Sequence, residues 1–404
     1  MTKTNNKNDK INEIRNLMPA VKSIHYLNAG TNGPLPKCAA DAMKKEAEEE
    51  FKKGRYLPFI DDLYKEMDIT RNLLAGILSA NYKEIALTHS TTEALNIVLW
   101  GLRWNSGDEI ITTNMEHTAG LAILAMLRAR HNITIKYINV DYGERYNEKK
   151  FLADLENKIT SRTRLLLVSH VSFSTGLTFP IKKIVKLCHK YKVYVLVDGA
   201  QAAGAIPVNV QDLKVDFYAA AGRKWLCGPE GIGVLYIAQH RIPEVDPIFI
   251  SPASVDQRHN LDIHSPYVIP APFAARYHTA TAMYKPTLLG FQKSLEFLVN
   301  QVKMDWITDR IPGLARYFKE LIQDIKGIDI VTPPGTEGGF LCFNIKNQDP
   351  IKLCDILNKK GFMVRPVPKP HTPTPIRIST GFYNTEKELE DFAKTLKAVV
   401  HKGS

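Results

Sequence analysis

Cysteine is scarce in this chain and is not arranged for a disulfide framework or a zinc site. Five cysteines are scattered over 404 residues, and no two of them form a CxxC pair. Disulfide-rich secreted domains and structural zinc sites both use closely spaced cysteines. We therefore expect a protein of the reducing cytoplasm with no bound metal ion. The cysteines are Cys38, Cys188, Cys227, Cys342 and Cys354.

The apolar segments of exported and membrane proteins are absent as well. The sequence has no long apolar run, and the polar start MTKTNNKNDKINEIR lacks the hydrophobic stretch and cleavage site of a secretory signal. With 44% hydrophobic and 24% charged residues, the composition is that of an ordinary globular protein without a membrane partner. The length exceeds what one hydrophobic core usually serves, which predicts two domains.

Basic residues outnumber acidic ones and give a net charge of +11 at pH 7. Nucleic-acid-binding proteins usually cluster their basic residues on one element, often among aromatic side chains. Here the lysines are dispersed, so we expect a solvated basic surface and no nucleic-acid partner. Such a surface also suits an anionic cofactor or a carboxylate substrate.

Short apolar, β-branched runs alternate with amphipathic helical stretches between residues 85 and 237. This alternation is typical of parallel strands joined by crossover helices, and it predicts an α/β fold with a seven-stranded, mostly parallel sheet. The predicted strands are 85–88, 109–113, 134–140, 164–170, 193–198, 216–221 and 233–237. The predicted crossover helices are 92–102, 118–130 and 181–191.

The chain changes character after this region. Residues 251–272 are polar and rich in proline, which indicates a long irregular segment. Two helices and a smaller α+β unit then follow, with predicted elements at 288–302, 314–325, 338–345, 351–360, 362–367, 375–380 and 386–400. We therefore predict an N-terminal segment (1–25) that packs on the small domain, a large domain (26–285) and a small C-terminal domain (286–404).

Two ionisable residues stand where strands of the large domain end. The strand VYVLVD ends in Asp198, and ligands bind at the carboxyl ends of strands in open α/β sheets. Lys224 follows the small residues of DFYAAAGR, where desolvation would lower the pKa of its ammonium and favour the amine that attacks carbonyls. A helix-capping aspartate and a surface lysine are the alternatives that these residues alone leave open.

The two segments together resemble the class V aminotransferase fold family of pyridoxal-phosphate enzymes. The resemblance lies in DGAQ after a strand, followed by Lys-Trp-x-x-Gly-Pro-x-Gly-x-Gly, and it extends from LNAGTNGPLP to IRISTGFYNTEKELEDF. The family includes cysteine desulfurases, cysteine and cystine C–S lyases, selenocysteine lyases and isopenicillin N epimerase-like proteins. It implies fold-type I, pyridoxal 5'-phosphate as cofactor and a homodimer with shared active sites.

The resemblance also implies a role for individual residues. Lys224 matches the lysine that binds the cofactor as a Schiff base, Asp198 the carboxylate that pairs with the ring nitrogen, and Gln201 the residue near the phenolic oxygen. His117 matches the side chain that stacks on the ring. The remaining implied contacts are Ser90, Thr91, Thr92 and Thr281 with the cofactor phosphate, and Arg377, Arg365 and Asn28 with the substrate. Arg223 is a further candidate for cofactor binding: it either replaces a lost phosphate-binding hydroxyl with its charge or changes the site.

The chain departs from the desulfurase pattern at several positions. Ala221 and Arg223 replace a phosphate-binding hydroxyl and a histidine, and Phe173 replaces an asparagine. The stretch VRPVPKPHTPTPIRIS has no cysteine where desulfurases carry a persulfide loop, and we expect the cysteines, including Cys227, to pack in the core.

These features favour a C–S lyase that acts on cysteine, cystine or a related sulfur amino acid. The alternatives are an aminotransferase or an amino-acid epimerase, since both use the same lysine, and a non-catalytic homologue that keeps only the fold.

Overall fold

The computed structural model describes residues 2–55, 57–251, 254–256, 264, 269–278, 283–368 and 374–402. Thr281 and most of the predicted irregular segment lie outside these residues.

The described chain contains thirteen strands and thirteen α-helices. The strands are β1 (His25–Tyr26), β2 (Ile85–Thr88), β3 (Glu109–Thr113), β4 (Thr134–Ile138), β5 (Thr163–Ser169), β6 (Tyr194–Asp198), β7 (Phe217–Ala221), β8 (Gly233–Ile237), β9 (Ile328–Ile330), β10 (Phe340–Ile345), β11 (Phe362–Met363), β12 (Arg365–Pro366) and β13 (Ile376–Ser379). The helices are α1 (Thr2–Asn16), α2 (Ala20–Ser23), α3 (Lys37–Lys53), α4 (Leu57–Leu78), α5 (Thr91–Gly101), α6 (Thr118–His131), α7 (Glu148–Lys158), α8 (Ile181–Lys190), α9 (Val210–Leu213), α10 (Lys285–Glu296), α11 (Met304–Ile322), α12 (Pro350–Lys359) and α13 (Glu386–Lys402).

A seven-stranded sheet forms the centre of the large unit. Its strand order is β2-β8-β7-β6-β5-β3-β4, with β3 to β7 parallel and β8 antiparallel to both of its neighbours. Every residue of β2, β3, β7 and β8 is buried, as expected for strands covered by helices on both faces. The seven predicted strands and the helices α5, α6 and α8 are confirmed.

Helices α3 and α4 were not predicted, and both pack against α10. Gly290 permits the close approach of α10 to α3, because a Cβ atom there would lie 2.4 Å from Met43 Cγ. The predicted helix at 288–302 is α10 followed by a π-helical turn at Phe297–Val302. The predicted helix at 314–325 begins earlier than expected, at Met304, because Pro312 is accommodated within α11 rather than preceding it.

The smaller sheet is antiparallel, in the order β12-β13-β10-β9. Strand β9 was not predicted, and the prediction of one strand at 362–367 was wrong. That run divides into β11, which pairs in parallel with β1, and β12, which pairs with β13. The run divides because its two halves hydrogen-bond to different parts of the chain.

The N-terminal segment contacts the C-terminal region through β1 and through Arg15. Arg15 Nη1 donates to Tyr383 O at 3.0 Å and to Glu388 Oε2 at 3.1 Å. The division at residues 25/26 and 285/286 stays a prediction. Among the described residues, none of the helices combines the length and the apolar character that crossing a membrane requires.

The Arg15–Glu388 pair gives a test of how the N-terminal segment is held. Glu388 is buried and also accepts hydrogen bonds from Asn384 and Thr385, so Glu388→Gln leaves a largely buried cation without its counter-charge. We expect the free energy of unfolding to fall by about 2–4 kcal/mol, measured by urea unfolding. Asp391→Asn on the same helix is the control, since its ion pair with Lys387 is exposed and should contribute less than about 1 kcal/mol. Equal losses of unfolding free energy in the two variants would show that the Arg15–Glu388 pair does not hold the N-terminal segment.

Candidate active site

A cleft opens at the carboxyl ends of β5, β6 and β7, where α5 and α6 begin. The space between its lining residues is about 640 Å³, its open mouth included. Side chains from several crossovers meet there because the carboxyl ends of parallel strands share one edge of the sheet. Eight residues predicted from the sequence line the cleft: Ser90, Thr91, Thr92, His117, Asp198, Gln201, Arg223 and Lys224.

Lys224 lies in a tight turn between β7 and β8. The turn is closed by hydrogen bonds from Gly222 N to Ile232 O and from Cys227 N to Lys224 O, both at 3.0 Å. The side chain is partly buried: solvent reaches it through the cleft, but protein surrounds its amine on the other sides. This burial lowers the pKa of Lys224 to about 8, and the charges of three arginines lower it further against the opposing effect of Asp198. A large share of the amine is therefore neutral near pH 8.

Asp198 ends β6 and is buried, with 9% of its surface exposed. Its Oδ1 accepts a hydrogen bond from Ala200 N at 3.0 Å. Burial raises the pKa of the carboxyl, while the Lys224 charge and the Ala200 amide oppose the rise. A positively charged ring nitrogen would stabilise the carboxylate in this position.

The N-terminus of α5 lines one side of the cleft. Ser90 caps the helix, and its Oγ accepts a hydrogen bond from Glu93 N at 3.1 Å. The buried Thr91 Oγ1 has no hydrogen-bond partner among the described residues. An unused hydroxyl beside the free N–H groups of a helix N-terminus fits a phosphate.

His117 and Gln201 occupy two further sides of the cleft. His117 caps α6, and its ring packs edge-on against the ring of Phe173, with 4.9 Å between the two ring centroids. Gln201 Nε2 donates to Gly30 O and its Oε1 accepts from Trp225 Nε1, each at 2.9 Å. The amide of Gln201 therefore joins the loop at residues 28–33 to the lysine turn.

The three arginines predicted for the site all contact this loop. Arg223 Nη1 donates to Thr31 O at 2.8 Å and to Asn32 Oδ1. Arg377 and Arg365 both donate to Thr31 Oγ1. The guanidinium of Arg223 thus contacts the loop rather than the helix N-terminus expected for a phosphate ligand.

Asn28 joins the same group of residues through Thr31. Its Oδ1 accepts a hydrogen bond from Thr31 Oγ1 at 2.7 Å, and residue 28 forms an isolated β-bridge with Ser379. Asn28 therefore reaches the predicted carboxylate site through Thr31.

The sequence did not point to Ser169, which lines the cleft, or to Glu116 and Thr31, which contact residues of the candidate site. The fully buried Glu116 accepts hydrogen bonds from Thr113 Oγ1 and Ser169 Oγ, both at 2.7 Å. Ser169 lines the cleft and is the register partner of Asp198. Burial raises the pKa of Glu116 to about 7, and the neighbouring charge of Asp198 adds to this. The signal for Glu116 was its position just before His117, after a buried strand.

The comparisons with known proteins agree with this geometry. The sequence profile described as Aminotransferase class-V matches residues 24–392. The chain belongs to the class V aminotransferase family. The match includes every predicted site residue, and also Thr281, which lies outside the described residues.

Named relatives and solved structures cover nearly the whole chain. A probable cysteine desulfurase of Methanothermobacter thermautotrophicus is 27% identical over 97% of this chain and 98% of its own length. Isopenicillin N epimerase of Streptomyces clavuligerus is 26% identical over 96% and 98%. A cystine C–S lyase, solved with its product cysteine persulfide, is 25% identical, with a TM-score of 0.84 over 94% of this chain and 99% of that one. The predicted α/β fold is confirmed.

The ionisation of Glu116 predicts how the stability of the cofactor-free protein depends on pH. A carboxyl whose pKa rises on folding, here from 4.5 to about 7, contributes stability at low pH that is lost as the pH rises through 7. The difference corresponds to on the order of 3 kcal/mol. The difference in unfolding free energy between the wild type and Glu116→Gln should therefore change with pH. Between pH 4.5 and pH 8 the wild type should lose up to about 3 kcal/mol relative to the variant.

Urea unfolding at a series of pH values measures this difference. Glu109→Gln is the matched control, because Glu109 is also buried but hydrogen bonds and the charge of Lys136 outweigh burial and lower its pKa. The difference in unfolding free energy between Glu109→Gln and the wild type should stay constant between pH 5 and pH 8. Parallel pH curves for the wild type and Glu116→Gln would show that Glu116 does not titrate in this range.

Proposed function

We propose that this chain is a pyridoxal-phosphate-dependent C–S lyase that acts on cysteine, cystine or a related sulfur amino acid. The observation that carries the proposal is a lysine of lowered pKa, Lys224, in one cleft with the buried carboxylate of Asp198 and an unpartnered hydroxyl at a helix N-terminus. The resemblance to cysteine desulfurases and to a cystine C–S lyase supports the reaction type.

The described residues fit the three reactive parts of pyridoxal 5'-phosphate. Lys224 would bind its aldehyde carbon, Asp198 its ring nitrogen, and Thr91 with the N-terminus of α5 its phosphate. When bound, pyridoxal phosphate stabilises the negative charge that develops at the substrate α-carbon. Asp198 supports that role because a buried carboxylate keeps a proton on the ring nitrogen.

Lys224 would have a second role, as a base, when its amine is free. Its amine is neutral in a large share of molecules near pH 8, so it can accept the α-proton as a general base. Elimination then breaks the Cα–H and Cβ–S bonds. Cysteine and water give pyruvate, ammonia and hydrogen sulfide, while cystine and water give pyruvate, ammonia and cysteine persulfide.

Arg377 and Arg365 would hold the substrate carboxylate. Arg377 is 3% exposed and its Nε has no hydrogen-bond partner among the described residues. A planar guanidinium binds a carboxylate with two parallel hydrogen bonds. Holding the carboxylate fixes the α-proton with respect to Lys224.

Cys227 is not suited to accept sulfur from the substrate, although it lies three residues from Lys224. Its side chain is buried, and burial raises the pKa of the thiol to about 12. A thiol that stays protonated is a poor nucleophile. We therefore propose that the reaction proceeds without a persulfide on this cysteine.

An amino-acid epimerase is the second candidate, since isopenicillin N epimerase matches nearly the whole chain. The same lysine would return the proton to the α-carbon. We further propose a homodimer in the cytoplasm.

Borohydride reduction tests the covalent role of Lys224. The wild type should retain the cofactor irreversibly on one peptide containing residue 224, identified by mass spectrometry, while Lys224→Ala should retain none. Turnover in the variant should fall at least about 100-fold, because both the attachment point and the base are lost. Lys182→Ala, which removes an exposed lysine paired with Asp212, is the control. A colourless wild type that ignores added pyridoxal phosphate would point to the non-catalytic homologue.

A product panel with Cys227→Ala tests the reaction type. Pyruvate, ammonia and sulfide or persulfide should form from cysteine or cystine, and the variant should retain turnover within about threefold of the wild type because the buried thiol takes no part in the chemistry. Thermal unfolding of the variant separates loss of chemistry from loss of folding. D-isomer or amino-group exchange without pyruvate would reject the lyase, and loss of turnover in a folded variant would restore a role for the thiol.

A further inference from the structure

Thr31 joins the two arginines that the proposed function assigns to the substrate carboxylate. Its Oγ1 accepts hydrogen bonds from Arg377 Nη2 at 2.9 Å and from Arg365 Nη1 at 3.2 Å, and it donates to Asn28 Oδ1 at 2.7 Å. A hydroxyl has one proton and two lone pairs. These three contacts therefore use its whole hydrogen-bonding capacity.

The two guanidinium groups carry like charges and have no acidic partner among the residues that the structure describes. Arg365 and Arg377 are register partners on β12 and β13, and within the described parts of the chain no Asp or Glu side chain forms an ion pair with either. Their other hydrogen bonds go to the backbone oxygens of Pro366 and Phe173. Burial, followed by the charge of Arg365, lowers the pKa of Arg377 to about 10. A neutral oxygen between the two cations offsets a repulsion that would otherwise separate them.

The loop around Thr31 is held from its other side as well. Arg223 Nη1 donates to Thr31 O at 2.8 Å, and the Tyr26 hydroxyl donates to Asn32 O at 2.9 Å. A Cβ atom on Gly33 would lie 2.1 Å from Lys224 O, so the loop packs directly on the lysine turn. The position of the Thr31 hydroxyl is therefore fixed with respect to Lys224.

We propose that Thr31 is a positioning residue for the substrate carboxylate, whose hydroxyl holds Arg365 and Arg377 side by side before the substrate binds. The inference rests on the proposed function, because that function supplies the carboxylate. A pre-arranged pair of guanidinium groups avoids the loss of affinity that ordering two long side chains on binding would cause. Since Thr31 acts through the arginines, its loss weakens binding and leaves the chemistry at Lys224 intact.

Thr31→Val removes the hydroxyl and keeps the branched shape, whereas Thr31→Ser keeps the hydroxyl. Two unreactive probes divide the substrate into parts: methylthiopropanoate has the carboxylate and no amine, and methylthioethylamine has the amine and no carboxylate. Titration calorimetry on the cofactor-loaded enzyme measures both affinities without turnover. We expect Thr31→Val to bind the carboxylate probe about tenfold more weakly and Thr31→Ser to bind it within about threefold of the wild type. The amine probe should bind equally to all three proteins, and KM should rise in Thr31→Val with little change in kcat.

Thr178→Val is the matched control, because Thr178 Oγ1 is a buried hydroxyl without a partner among the described residues. It should leave both affinities unchanged. Equal or tighter binding of the carboxylate probe by Thr31→Val would overturn the role of Thr31. If the probe depends on Thr31 but no sulfur amino acid is turned over, the proposed function fails and the role of Thr31 stands. If cysteine is turned over and Thr31→Val binds the carboxylate probe like the wild type, the role of Thr31 fails and the proposed function stands.

Discussion

The imbalance of charge around Lys224 is the constraint on which the site depends. Arg223, Arg365 and Arg377 act on Lys224 through space, and Asp198 is the acidic group that acts against them. Positive charges gathered in a poorly solvated place raise each other's free energy unless anions accompany them. A phosphate and a carboxylate are the two anions that a cofactor and an amino-acid substrate would bring. The cleft is therefore built for ligands that carry negative charge.

The fold produces this imbalance by joining two sheets at one place. The carboxyl ends of β5, β6 and β7 supply Ser169, Asp198 and the turn that carries Lys224. The antiparallel pair β12 and β13 supplies two arginines from the C-terminal part of the chain. The loop at residues 28–33 lies between the two groups, where Gln201 and Arg223 bond to one side and Arg377 to the other. Neither sheet alone would hold a complete site.

The sequence was sufficient for those parts that depend on local patterns. The seven strands of the large sheet follow from apolar runs bounded by helical stretches. Asp198 and Lys224 follow from their places at strand ends and from a family motif that covers both. The pairing of β11 with β1 did not follow, because two short segments more than 300 residues apart carry no local signal of their partnership. Helices α3 and α4 did not follow either. In α3 only Ala39 and Glu50 are buried, so its sequence shows no continuous apolar stripe.

The missed site residues have a common physical reason. Thr31 meets Arg377 across a separation of 346 residues, and Glu116 meets Ser169 across 53. A threonine in a glycine-rich loop or a glutamate before a histidine has no distinctive pattern, because its role is set by the groups that folding brings to it. Arg223 is the converse case, since a motif position suggested the phosphate and the folded chain directs the guanidinium to Thr31 O instead.

Two groups at the site, Lys224 and Glu116, change their protonation near neutral pH. Burial lowers the pKa of Lys224 to about 8 and raises that of Glu116 to about 7, so burial extends the pH range in which each group is neutral: below about 7 for Glu116 and above about 8 for Lys224. The neutral form of Lys224 is the one that can attack a carbonyl or accept a proton. Low solvation thus shifts the pKa of the acid and that of the amine in opposite directions. Arg377 keeps its charge under these conditions, since burial lowers its pKa only to about 10. The site thus combines arginines of positive charge with a lysine and a glutamate whose charge changes near neutral pH.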